Sequence, residues 1–179
     1  SEFNVGWAIT AAKRDLCDGC DVNHDFTKTI FDAYLEGRTL ITNQADLADI
    51  LVQRDIVMNT WEKVVAAVSI HYVNDVAADI AGIIAAGDTT AMPGSDATAD
   101  YENHWGEMRG YANGLLYNDF KVIDDANLNR IYAVMGTAPV YPSNGNFDDM
   151  QAYHDSLVGE VRAIFQASYG FSAANVANW

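Results

Sequence analysis

The stretch NHWGEMRGYANGLLYN, Asn103–Asn118, decides how this chain folds. Its apolar residues recur at helical spacing, with Trp105, Met108, Ala112 and Leu115 on one face. A second face beside it carries His104, Glu107, Tyr111 and Gly114. Gly106, Gly110 and Gly114 follow one another at intervals of four residues. Each glycine costs roughly 1 kcal/mol against Ala inside a helix. Close approach of another backbone would offset that loss, so Gly110 is expected to face a second helix at close range.

The same period runs outward on both sides. Ala45–Ala86 contains no Pro and only Gly82, while Leu47, Ile50, Leu51, Ile56, Val57, Trp61, Val64, Val65 and Val68 keep helical spacing. This predicts one long helix, or two joined by a kink, ending near Ala86. Phe26–Thr42 reads as a helix with Ile30, Phe31, Tyr34, Leu35 and Ile41 on one side and Asn43 as its cap. Asn4–Leu16 reads as a short apolar helix, with Val5, Ala8, Ile9, Ala12 and Leu16 following the helical period. After the central helix, Asp100–Asn118, come Asp124–Met135, stopped at Gly136, and Phe147–Tyr169, closed by Gly170. A short tail follows. Gly87–Thr98 and Ala138–Asn146 hold all three prolines and read as loops.

No segment alternates with period two for long enough to make a sheet. The expected fold class is therefore all-α, a helical bundle of about four long helices with short ones on its ends. One domain is expected over residues 4–179. Ser1-Glu2-Phe3 reads as a cloning scar, and the chain as a piece of a longer protein. The N-terminal half of that parent would then be a partner.

A formal net charge of −15 argues against nucleic acid and against anionic membrane surfaces. Nothing in the sequence reads as a transmembrane segment, since no run approaches 18 apolar residues without charge. Asp supplies 19 of the 25 acidic residues, as a solvating surface would. The only two cysteines, Cys17 and Cys20, sit close together and suit a disulfide in an oxidising compartment.

His104 and Glu107 lead the candidates for chemistry. An i, i+3 His/Glu pair is how a helix offers two metal ligands on one face. His71, on the long helix, is the candidate third ligand, and imidazole with carboxylate suits iron or zinc. The plainer reading is a boundary histidine hydrogen-bonded to a carboxylate. His154 has the spacing of a satisfied core histidine, and His24 is expected in a solvated loop. Asp21, Asn23 and Asp25 resemble the first half of a calcium loop, but Phe26 and Asp32 stand where that loop needs Gly and Glu. Calcium is thus the weaker expectation, against an Asp/Asn-rich turn capping the second helix. No nucleophile elbow or phosphate-cradling glycine loop is present.

FDAYLEGRTLITNQ (Phe31–Gln44), WEKVVAAVSIHYVND (Trp61–Asp75) and HWGEMRGYANGLLYN (His104–Asn118) together resemble the C-terminal part of an exported bacterial family. That family carries a domain of unknown function and is distantly imelysin-like. The resemblance covers about Phe31 to Gly170. It implies an all-α, periplasmic or cell-surface protein of a bacterium. It also implies a GxHxxE metal motif, in which His104 and Glu107 match and Glu102 stands at the leading Gly.

Three functions are therefore expected in order. The first is an extracytoplasmic helical binding protein for a small ligand or metal, tied to iron or haem acquisition. The second is an imelysin-like metallopeptidase using the same residues. The third is a structural or adhesive module without activity.

Overall fold

The computed structural model describes residues 2–179, with side chains from Gly6 onward. Ser1, the side chains of the expected scar and that of Val5 lie outside the described residues. The order is α1 (Glu2–Asp15), α2 (Phe26–Thr42), α3 (Leu47–Ala86), α4 (Ala99–Gly114), α5 (Asp125–Met135), α6 (Asp148–Ser156), α7 (Arg162–Tyr169) and α8 (Ala173–Asn178). Helix accounts for 74% of the chain, and the only β-pairing among the described residues is an isolated Ser143–Asn146 bridge. The all-α expectation holds.

α3 is the spine. Its 40 residues form one uninterrupted helix, roughly 60 Å long at 1.5 Å per residue, and Gly82 introduces no kink. Asp46 precedes it, and Gly87, in the left-handed region at φ 69°, ends it. From Val64 to Ile70 nearly every side chain is buried, so other elements wrap the helix on all sides there. By length and composition α3 could cross a membrane, with a most apolar window of mean hydropathy 1.3. In this fold 56% of that window is buried inside the protein, as in the core helix of a globular domain.

Met108 and Ala112 of α4, with Leu115 just beyond it, are buried as the spacing predicted, and the large side chains Met108 and Leu115 each contribute roughly 1.5–3 kcal/mol by burial. α4 stops at Gly114 and tightens into a 3₁₀ turn, Leu115–Tyr117, four residues short of the expected end. The last long helix is also interrupted. A π turn at Leu157–Val161 separates α6 from α7 and keeps Leu157 and Val161 both in the core. The expected tail is instead α8, whose Asn175, Val176 and following Trp179 are buried.

In α1 and α2 the apolar stripe of the sequence is not the buried face. α1 buries Ala11 and Arg14, with Trp7 partly covered, while Ala8, Ile9, Ala12 and Leu16 face solvent. α2 buries Phe26, Ile30 and Ala33 but leaves Phe31, Tyr34, Leu35 and Ile41 more than half exposed. Leu47 and Val52 at the start of α3 are exposed as well.

Glu62 of α3 is the buried polar group that fastens the outer elements, and it is only 4% exposed. Its carboxylate accepts hydrogen bonds from Asn118 Nδ2 (2.7 Å), Val122 N (2.7 Å), Ile123 N (3.3 Å) and Tyr169 Oη (2.8 Å). One carboxylate thus ties the α4–α5 connection and the end of α7 to the spine.

Candidate functional site

The seam between α3 and α4 holds the candidate residues. On α3, His71, Asp75 and Asp79 are four residues apart and share a face. α4 runs antiparallel to it, so descending one helix matches ascending the other. Tyr72 stacks on Tyr111 with ring centroids 5.4 Å apart, and seven residues further along each helix Asp79 meets His104.

His104 Nδ1 donates to Asp79 Oδ2 at 2.7 Å. Burial acts to lower the His104 pKa, but the hydrogen bond and charge of Asp79, helped by Asp75 and Glu107, outweigh it and the net shift is upward. Burial raises the Asp79 carboxyl, and His104 offsets this only in part. His71 Nε2 lies 3.3 Å from Asp75 Oδ2. Burial lowers its pKa, the positive charge of Arg14 adds to that, and Asp75 does not restore it. Arg14 is itself buried at the end of α1, and burial depresses its pKa against the pull of Asp75. Two imidazole–carboxylate pairs on one seam therefore have histidine pKa values shifted in opposite directions.

Glu107 does not bond to His104. It accepts from Asn103 Nδ2 at 3.3 Å and, with burial the larger cause, helps push the Tyr72 phenol up to about 12. His71, His104 and Glu107 are not gathered around one point. Among the described residues no group of three or more His, Cys, Asp or Glu side chains stands close enough to hold a metal ion. The physical reason is register. Asp79 occupies the level on α3 opposite His104, while His71 lies two turns away.

The glycine expectation is also corrected. A Cβ on Gly106 or Gly110 would meet nothing within 4 Å, and one on Gly114 would touch only Val65 Cγ1 at 3.6 Å. Gly110 and Gly114 instead line a shallow groove of about 320 Å³ bounded by Trp7, Val65, Glu107 and Tyr111.

The Cys17–Cys20 disulfide is present. The loop beyond it does not assemble calcium ligands. Ser172 Oγ donates to Asp21, and Asn23 Nδ2 donates to Asp25 at 2.8 Å. Asn175 Oδ1 accepts from the backbone N–H groups of Asp21 and Val22, so α8 holds this loop. Asp25 makes no side-chain cap for α2, and Asp15 of α1 accepts from Thr27 N instead. His24 is not solvated. It stacks on Phe26 at 4.9 Å and packs against Phe171 and Trp179, and burial lowers its pKa. His154 is a boundary residue paired with Asp155 at 3.0 Å.

Asp75, Asp79 and Arg14 are the seam residues that the sequence reading missed. The signal was present in the i, i+4, i+8 run His71, Asp75, Asp79 within an otherwise apolar helix. No protein-family model, curated protein or solved structure matches this chain.

Proposed function

We propose that this chain is a non-catalytic helical binding module of an oxidising, extracytoplasmic compartment, periplasmic or cell-surface in a bacterium. In this reading the α3–α4 seam takes a divalent metal ion, iron or zinc. The observation that carries it is the pair of half-buried imidazole–carboxylate couples, His71–Asp75 and His104–Asp79, spaced along one seam as two separate two-donor sites. Each offers a nitrogen and an oxygen donor, the set that suits these ions, with water available to complete the coordination. The net charge of −15 raises the local concentration of cations. The disulfide supports the compartment. The resemblance to imelysin-like exported proteins supports both the compartment and a bundle architecture. The ligand set differs from the one expected from sequence. Asp79 replaces Glu107 as the partner of His104.

A metallopeptidase would need a metal-activated water with a general base beside it. Glu107, one turn from His104 on α4, is the candidate carboxylate for that role, and it accepts a hydrogen bond from Asn103. Peptidase assays with and without chelator address this reading. Titration of the metal-stripped protein with Zn²⁺ or Fe²⁺ by calorimetry tests the proposal itself. Saturable binding is expected, weakened at least tenfold by His104→Ala and by Asp79→Asn. A parent that binds neither metal would leave the structural or adhesive module as the standing interpretation.

A further inference from the structure

α2 and the first third of α3 leave apolar surface that no other element covers. Phe31, Tyr34, Leu35 and Ile41 are exposed on α2, and Leu47 and Val52 on α3. Between the two helices lies a groove of about 420 Å³, within the usual range of roughly 300–1,000 Å³ for small-molecule sites. Tyr34, Ile41, Ile50, Val57 and Met58 form its walls. The helices cross closely at Gly37, where a Cβ would stand 3.4 Å from Gln53 Cβ. At Tyr34, Val57 and Met58 the groove passes into a second depression of about 380 Å³ that reaches Val65 and Gly114. From Ile50 to Val65 the two follow α3 for roughly 22 Å at 1.5 Å per residue.

The charged groups at the first groove are both basic. Arg38 and Arg54 line it, in a chain that has only 10 basic residues against 25 acidic ones. Arg54 is bonded to Asp55 and lies over the Phe120 ring. Arg38 takes part in no ion pair among the described residues. A long apolar trough with an unneutralised guanidinium in its wall matches a ligand with an extended apolar tail and an anionic head. A guanidinium binds a carboxylate through two parallel charge-assisted N–H donors, binds a neutral head more weakly, and repels a cationic one.

We propose that the α2–α3 groove binds a single-chain anionic amphiphile of the long-chain carboxylate type. The tail lies along α3 and the carboxylate pairs with Arg38. This site is separate from the His104–Asp79 seam and does not depend on metal.

Calorimetric titration of the whole chain with dodecanoate, below its micelle concentration, tests this. Decanoate and dodecyltrimethylammonium serve as comparisons. Dodecanoate should bind saturably at one per chain, and affinity should fall about fourfold for each methylene removed. The cation should show no saturable binding. Arg38→Glu should weaken dodecanoate at least tenfold, with circular dichroism and melting unchanged because Arg38 is exposed. Met58→Glu, which places a carboxylate in the trough, should do the same. Equal binding of anion and cation, parent-like binding by Arg38→Glu, or no saturable binding would overturn the proposal. So would a dimer through this face that dodecanoate does not dissociate, which would give the surface to a second copy of the chain.

Discussion

His104 Nδ1 lies 2.7 Å from Asp79 Oδ2, and this bond joins the central helix to the spine at the level where the two run antiparallel. His71, two turns away on the same α3 face, is paired with Asp75 instead. The two histidines therefore answer pH in opposite directions.

The folded-state pKa of His104 is raised, so its stabilising contribution is complete below the ordinary imidazole value of about 6.5. It is lost as pH rises through the raised folded value. His71 is lowered, so the fold holds it neutral. Its contribution is present above about 6.5 and is lost as pH falls toward the folded value. Imidazole titration by NMR should place His104 above 6.5 and His71 below it. Equal midpoints would remove this account of the seam. In denaturant melts, His104→Ala should lose stability relative to the parent at pH 6, with the difference shrinking in alkali.

The α4 glycines give a prediction of unusual sign. Gly110 has open space where its Cβ would be, and its helix gains nothing from the absence. Gly110→Ala should stabilise the protein by about 0.5–1 kcal/mol. Gly19 is the contrasting case. It sits at φ 82°, and a Cβ there would lie 2.7 Å from Asn178 Oδ1. Gly19→Ala should cost about 1–2 kcal/mol for the left-handed backbone alone. Urea denaturation of the two variants checks both signs, and a destabilised Gly110→Ala would mean that α4 is held closely by something after all.

The helices were legible because breakers bracket long apolar periods. Gly87, Gly136 and Gly170 all take positive φ where the pattern stops. The rotation of each helix was less legible. In α1 the small residues Ala8, Ala11 and Ala12 do not distinguish one face from the next, and the buried stem belongs to Arg14, a residue normally read as exposed. In α2 the apolar stripe is wider than the face the fold uses, so Phe31 and Leu35 share the stripe with Ile30 but lie outside a core that stops at Ile30 and Ala33. The site was half legible. His104 was found, but its partner was sought within its own helix, three residues on. The antiparallel register that brings Tyr72 to Tyr111 also brings Asp79 to His104, and that relation exists only between helices.

The Cys17–Cys20 bridge closes a very short loop at the end of α1. Chain-entropy arguments then give it about 2 kcal/mol at most. Denatured protein from an oxidising compartment should show no free thiol until reductant is added. Reduction should lower stability by that small amount and leave the helical dichroism intact. Two thiols titrated before reduction would remove the bridge from the native protein and one support for the extracytoplasmic reading.

Glu62 should prove the most sensitive single position outside the apolar core. Its carboxylate accepts from two backbone N–H groups, an amide and a phenol, all from elements that reach α3 late in the chain. Glu62→Ala removes every acceptor at once, strands buried donors at Ile123 and Tyr169, and frees the half-covered N–H of Val122. Removing one side of such a buried charged network costs about 3–5 kcal/mol, and each stranded donor about 1–3 kcal/mol when no water replaces the bond. Glu62→Gln keeps one carbonyl oxygen and the side-chain length, and should lose clearly less. Because Asn118 and Val122 flank the α4–α5 connection, hydrogen exchange in Glu62→Gln should rise first across residues 118–123, before α3 itself opens. Equal destabilisation by Gln and Ala would mean that charge rather than hydrogen-bond satisfaction holds this junction. A parent-like Glu62→Ala would mean that the junction is held by the packing of Ile123 and Tyr169 alone.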